Sequence, residues 1–386
     1  MSKLNIIFIL GTLEEHKCGV SDYVRRVCAY LGKKEYNCTC IAINDKHICT
    51  EKRIRTKLTG TENIELLRLS SKITWWERIQ ITKKRIEALN PNLVSIQFVP
   101  YAFNSKGLAL PLIALILFTS KKVKWHIMFH ELWVLQNNND SIKNIIKRII
   151  GEAQKTIILA ITYICRPNIV HVSNHSYQLR LASYGICSDI LPVFSNIPFI
   201  PIKETITKNS NSWKFVIFGR ITEFWNPYEL LANVEKARIK HGIDHCEFLS
   251  IGKTGERGKR IWQDINILAK TLYPAFTFHY KGEISQEEIS LHLQTSDFGL
   301  STTPSALLQK SGSVAAMLSH GLPVIVSRIS GQHDTLKKTL MERERFILLN
   351  KDFQDKLGTV NKIDRPTDSF YEIIKKFESD LSRAYN

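Results

Sequence analysis

Thr302-Thr303-Pro304-Ser305-Ala306-Leu307-Leu308-Gln309-Lys310-Ser311-Gly312-Ser313-Val314-Ala315-Ala316-Met317-Leu318-Ser319-His320-Gly321-Leu322-Pro323-Val324-Ile325-Val326 decides how the rest of this sequence is read. A loop of small polar residues runs into an apolar helical stretch. The stretch stops at Gly321, and Leu-Pro-Val-Ile-Val reads as the next strand. The Ser-Gly-Ser entry offers unpaired backbone N–H groups at a helix start, where the peptide dipoles leave partial positive charge. Lys310 stands directly before it. A phosphate fits such a place, and it lies where a doubly wound sheet would hold a nucleotide.

Outward from this segment, short apolar runs alternate with longer helical periodicity, the mark of an α/β sheet. In the first half the expected strands are Leu4–Leu10, Cys38–Ile43, Leu93–Val99, Val123–Phe129 and Ile169–Val172. Ser21 and Asp22 are expected to cap a helix through about Leu31. Trp75–Leu89 reads as a helix stopped by Asn90-Pro91. Residues 197–212 are rich in Pro, Asn, Ser and Thr and read as a linker. A second series follows, with strands at Lys214–Phe218, Phe248–Ile251, Phe276–Tyr280, Asp297–Leu300 and Pro323–Val326. A terminal helix, Ser369–Ala384, puts Phe370, Ile373, Ile374, Phe377 and Leu381 on one face.

The chain has 386 residues, enough for two domains that each bury a core. Lys and Arg number 53 against 36 acidic residues, a formal charge of +17, which points to acidic partners such as phosphates or an anionic membrane face. The eight cysteines show no zinc-finger spacing and read as reduced, mostly buried thiols of a cytoplasmic protein. Cys38-Thr39-Cys40 falls in a strand and is taken to send its two thiols to opposite faces. The apolar run at the N-terminus reads as a first strand, not a signal peptide. Leu108–Phe118 contains Pro111 and is too short to span a bilayer. Ile142, Ile145, Ile146, Ile149 and Ile150 alternate with Lys143, Lys147 and Arg148 in a helix expected over Asp140–Gly151. That helix either packs on its own sheet or lies on an anionic membrane surface.

The order and spacing of Gly19, His130, Phe218-Gly219-Arg220, Ser311-Gly312-Ser313 and His320-Gly321-Leu322-Pro323-Val324 resemble the GT-B glycosyltransferases, most closely the retaining family 4-like group. The resemblance implies two Rossmann-like doubly wound domains facing across a cleft. Residues 1–196 would form the acceptor-binding domain and 213–366 the nucleotide-sugar domain. The helix at 367–386 would pack back on the first. The implied activity is transfer from a UDP- or GDP-sugar to a saccharide or lipid-linked saccharide, in cell-surface glycan synthesis.

The resemblance assigns Arg220 to the donor diphosphate, where a rigid guanidinium suits phosphate oxygens. Gly19, Lys253, Lys310, Ser311, Gly312 and Ser313 join it as donor-binding residues. His130 and Glu131 are the catalytic candidates, since a histidine at a strand end can polarise or bond a sugar hydroxyl. Asn174 and Tyr101 are placed on the acceptor. The sequence departs from the family twice. Glu223-Phe224-Trp225-Asn226 stands where a lysine is usual, and Leu308 and Ala316 fall where the family carries two glutamates. No Asp-x-Asp occurs, so a metal-independent site with no cofactor is expected, its diphosphate held by Arg, Lys and a helix start. The cytoplasmic location extends to possible peripheral attachment at the inner face of a membrane. Without a helix-turn-helix, zinc-finger or RNP signature, nucleic acid is not an expected partner. The alternatives to the transferase are a non-catalytic nucleotide-binding homologue and a protein acting on nucleic acid.

Overall fold

The structure, a computed structural model, describes residues 4–15, 18–34, 36–48, 54–57, 64–119, 122–134, 142–202, 211–329, 345–363 and 369–385. Part of the expected linker, residues 203–210, lies outside them. The chain divides into two compact units, Met1–Pro192 together with Ile373–Asn386, and Val193–Glu372.

The first unit is built on an eight-stranded sheet. Its strands are β1 (Asn5–Leu10), β2 (Asn37–Asp45), β3 (Ile54–Lys57), β4 (Ile64–Ser70), β5 (Leu93–Phe98), β6 (Trp125–Phe129), β7 (Ile169–Val172) and β8 (Asp189–Ile190). They lie in the order β3-β4-β2-β1-β5-β6-β7-β8, and every pair is parallel except β3 with β4. Parallel strands are covered on both faces, which is why these read as near-continuous apolar runs. Ile7, Ile9, Ile96, Ile127 and Phe129 enter one core with Leu112, Leu115, Ile158 and Ile161 from the helices.

Local chemistry sets the helix ends. Thr74 accepts a hydrogen bond from the Glu77 amide at 3.2 Å, and Asn90 closes the same helix with φ of 40° before Pro91. The first helix corrects the sequence reading. It begins at Gly19, not at Ser21, with Cys18 in the capping position and no side-chain cap. Ser21 shares the inward face with Val24, Cys28 and Leu31, so burial of that face decides where the helix starts. The helix expected over Asp140–Gly151 runs from Ile142 to Cys165, because Ile157, Ile158 and Ile161 continue its apolar spacing into the core. The thiols of Cys38 and Cys40 share a face, as residues two apart in a strand must. Both stand against Cys28, whose Sγ is 3.4 Å from that of Cys40, and burial pushes the Cys28 thiol well above its ordinary pKa.

The second unit has a six-stranded parallel sheet of β9 (Ser212–Phe218), β10 (His245–Ile251), β11 (Phe276–Gly282), β12 (Phe298–Ser301), β13 (Val324–Val326) and β14 (Phe346–Leu348). Their order is β11-β10-β9-β12-β13-β14. The segment quoted at the outset follows β12 and forms a 3-10 helix at Ser305–Lys310 where a loop was expected, the helix Gly312–Ser319, and β13. Gly321 ends that helix at φ +85°, with its N–H on Leu318 O and the Leu322 N–H on Met317 O. This Schellman closure needs the left-handed conformation, and a Cβ at Gly321 would collide with the Ile363 carbonyl.

Gly321→Ala therefore combines backbone strain with a backbone clash and should cost at least about 2 kcal/mol. Urea unfolding of the second unit, followed by tryptophan fluorescence, would show a lower midpoint. An unchanged midpoint would contradict this role for Gly321.

Candidate functional site

In the second sheet the chain winds outward from β9 through β10 to β11 on one side and returns beside β9 as β12 on the other. Such a switch point opens a crevice at the carboxyl ends of the diverging strands, which is where α/β sheets bind ligands. The residues leaving β9 and β12 there are Gly219-Arg220 and Thr302-Thr303. Gly219 has φ of +88°, and a Cβ on it would stand 2.7 Å from Ser313 Oγ. The glycine thus lets the strand end come up against the start of the Gly312–Ser319 helix.

Around this contact the loops are tied together. Thr302 Oγ1 donates to the Arg220 carbonyl at 3.0 Å. Ser311 caps the helix by accepting from the Val314 amide at 3.3 Å, and Thr303 Oγ1 donates to the same hydroxyl at 3.4 Å. The N–H groups of Gly312 and Ser313 have no partner among the described residues. A cavity of about 20 Å³ opens here, lined among others by Phe218, Arg220, Thr302, Thr303, Ser311 and Ser313. The Arg220 side chain is exposed and has no ion-pair partner among the described residues.

A second guanidinium, not singled out from the sequence, is tied to the same loops. Arg328, two residues beyond β13, donates to Thr222 Oγ1 and to the Thr302 carbonyl, each at 3.3 Å, and lies 5.8 Å from the Phe224 ring centre. Partial burial lowers its pKa from the ordinary arginine value. Glu223, in the place where the family usually has lysine, is paired with Arg257. Lys253 is exposed and 4.0 Å from Glu283. Lys310 ends the 3-10 helix half-buried, and neither lysine lines the cavity. Leu308 and Ala316, at the places of the family's two glutamates, are buried in the apolar core at 3% and 0% exposure. A carboxylate at either would be desolvated without a partner.

In the first unit the carboxyl ends of β5, β6 and β7 adjoin. His130 follows β6, is 6% exposed, and meets Tyr23 edge-on at 5.1 Å. Its Nε2 is 2.8 Å from Gln97 Oε1, and burial depresses its pKa to about 3, so the ring is neutral. Its carbonyl accepts from Ser173 Oγ at 3.4 Å, and Asn174 Nδ2 donates to that hydroxyl at 3.2 Å. Asn174 also caps the next helix, its Oδ1 accepting from the Tyr177 amide at 2.9 Å. Glu131 is half-buried beside His130, with its N–H directed at Phe98 O at 3.4 Å. Tyr101 is exposed and its hydroxyl accepts from Gln154 at 3.3 Å, whereas Phe98 and Phe103 stack in the core. Gly19 is the first residue of its helix, with nothing within 4 Å of where a Cβ would stand. Among the described residues no group of three or more His, Cys, Asp or Glu is placed to hold a metal ion.

Two doubly wound sheets, one in each unit, define an α/β class of Rossmann-like architecture. No family model matches the sequence, and no curated protein matches it. Among solved structures, sucrose-phosphate synthase from Thermosynechococcus elongatus superposes with a TM-score of 0.60 at 13% identity, covering 99% of each chain. HepE from Anabaena, solved with UDP and glucose, gives 0.58 at 13% identity, covering 98% of this chain and 100% of that one. A trehalose-6-phosphate synthase gives 0.56 at 12% identity, covering 98% and 99%. The chain has the fold these enzymes share, the GT-B fold of two Rossmann-like units.

The buried groups set a pH dependence. Below the ordinary histidine value of about 6.5 an unfolded chain takes up protons that His130 refuses down to about pH 3. His126, depressed by burial and by His171, acts in the same sense. Stability therefore falls as pH drops from 7 to 5, by at most about 1.4 kcal/mol per pH unit for each such histidine. Urea midpoints at several pH values would reveal it, with a shallower slope in His130→Asn. Midpoints independent of pH would contradict the buried neutral state.

Proposed function

We propose that this chain is a glycosyltransferase that moves a sugar from a nucleoside-diphosphate sugar to a saccharide or lipid-linked saccharide, with retention, in cell-surface glycan synthesis. The observation that carries this reading is the set of cations and of donors without a partner among the described residues around the β9/β12 switch point: Arg220, Arg328 and the N–H groups of Gly312 and Ser313. Glycosyl transfer needs its leaving diphosphate stabilised as charge develops, and preoriented donors do this at little reorganisation cost. Two guanidiniums and a helix start supply the charge that the missing family lysine would have given. The HepE structure, with UDP and glucose bound, favours UDP as the carrier.

In this reading the second unit holds the donor and the first unit the acceptor. His130, neutral at the end of β6, meets a sugar hydroxyl. Asn174 and Tyr101 border the acceptor, and Glu131 assists His130. The departing phosphate accepts the acceptor's proton, so no carboxylate base is needed where Leu308 and Ala316 stand.

The long helix that starts at Ile142 supports a membrane-side role. Ile145, Ile146 and Ile149 are 52%, 54% and 64% exposed, and Lys147 and Arg148 beside them are exposed as well. Apolar side chains flanked by cations suit an anionic bilayer surface. No helix among the described residues is long and apolar enough to cross a membrane.

UDP in the presence of EDTA should raise the melting temperature, and uridine should not. Charge-assisted hydrogen bonds contribute about 1.5–3 kcal/mol each, so Arg220→Ala and Arg328→Ala should each weaken UDP by roughly tenfold to a hundredfold. No shift with any nucleoside diphosphate would refute the donor site. Separately, the protein should float with vesicles containing phosphatidylglycerol, and an Ile145→Asp/Ile149→Asp variant should not. Equal flotation of both would remove this helix from the account.

A further inference from the structure

One face of the first sheet carries a row of polar side chains where parallel sheets are normally apolar. Ser95 and Gln97 come from β5, His126 from β6 and His171 from β7, all 2% exposed or less. The helix Ser369–Tyr385 covers them: Phe377 lies against His126 and His171, with ring centres 5.3 and 6.0 Å away, and Asp380 reaches into the row.

The row is one unbroken hydrogen-bonded chain. Asp380 Oδ2 is 3.0 Å from His171 Nε2, and His171 Nδ1 is 3.0 Å from His126 Nε2. His126 Nδ1 is 2.8 Å from Ser95 Oγ, which is 2.7 Å from Gln97 Nε2. Gln97 Oε1 is 2.8 Å from His130 Nε2.

Its polarity is fixed from one end. A carboxylate can only accept. A neutral His171 beside it carries its proton on Nε2 and accepts at Nδ1. His126 then carries its proton on Nε2 and accepts at Nδ1 from the Ser95 hydroxyl. The Ser95 oxygen accepts from the Gln97 amide nitrogen, which leaves Oε1 facing His130. Each donor points toward Asp380. The carboxyl of Asp380 is held down to about 2, chiefly by His171 and Lys376, so it is ionised at neutral pH. Lys376 Nζ lies 2.9 Å from Oδ2 and Arg383 Nη1 3.5 Å from Oδ1. The depressed pKa values of His126 and His130 keep both rings neutral, as the chain requires.

We propose that Asp380 is a positioning residue for His130: through His171, His126, Ser95 and Gln97 it fixes His130 as the Nε2–H tautomer, leaving Nδ1 as a bare acceptor for a substrate hydroxyl. The link to substrate rests on the glycosyltransferase reading, but the tautomer does not. A residue on the C-terminal helix thereby sets the chemistry of a strand end from which it is separated by five hydrogen bonds. Neutral imidazole otherwise distributes its proton between the two nitrogens, and a histidine with Nδ1–H would offer a hydroxyl a donor in place of an acceptor.

The test is long-range ¹H–¹⁵N NMR of the full-length, ¹⁵N-histidine-labelled protein at neutral pH, with resonances assigned by single His→Gln variants. His126, His130 and His171 should all be Nε2–H tautomers. In Asp380→Ala the Nε2–H to Nδ1–H ratio at His130 should fall at least tenfold, and Asp380→Glu should restore it. His126→Phe, which breaks the chain midway, should release His130 while His171 keeps its Nε2–H form. An Nδ1–H or doubly protonated His130 in the wild type would overturn the proposal. So would a His130 tautomer unmoved by either Asp380→Ala or His126→Phe. No donor or acceptor sugar is present, so this outcome stands apart from whether transfer is observed.

Discussion

The close approach at Gly219 is the constraint on which the second unit's chemistry depends. A residue without a Cβ holds φ of +88° there without strain and leaves the Ser313 hydroxyl in place. That contact sets the end of β9 beside the start of the Gly312–Ser319 helix, with Arg220 near two amides that have no partner among the described residues. The loops after β9, β12 and β13 are then laced by Thr302, Thr222 and Arg328. Positive charge is concentrated by the fold at one strand-end crevice, while the nearby Glu223 is occupied by Arg257. A high net charge alone would give only weak, screened attraction. On the proposed reading, fixed donors beside a helix start convert it into a grip on one anion.

The first unit solves a different problem. A polar row inside a parallel sheet is costly unless each atom is satisfied. The row from Ser95 to His171 meets that condition only with Asp380 supplied by the last helix. The terminal helix is therefore more than a cover for apolar surface. It closes a network that runs to the one histidine at the β6 end.

Much of the fold was legible in the sequence because its signals are local. Ile169–Val172 and Trp75–Leu89 are bounded by the residues expected from alternation, capping and Asn90-Pro91. The likeness to solved glycosyltransferases bears out the GT-B fold inferred from the spacing of motifs. What escaped was set by distant partners. Ser21 looked like a cap because its hydroxyl suits one, but the inward face of its helix needed that position. The thiols of Cys38 and Cys40 share a face by the strict period of two, and only their contact with Cys28 lay beyond the sequence. Arg328 is one arginine after a short strand until the Thr302 carbonyl is seen beside it. Its position at a strand's carboxyl end was the available signal. The hydrogen bond between His171 and Asp380 spans 209 residues of sequence, and no periodicity reports such a pair.

On the proposed reading the second unit grips a pyrophosphate between Arg220 and the start of the Gly312–Ser319 helix. A crystal structure of the full chain with UDP tests it most directly. Phosphate oxygens should lie within hydrogen-bond distance of the Gly312 and Ser313 amides, with the Arg220 guanidinium on the same group. A diphosphate bound elsewhere on the chain, with those amides and Arg220 facing only solvent, would contradict it.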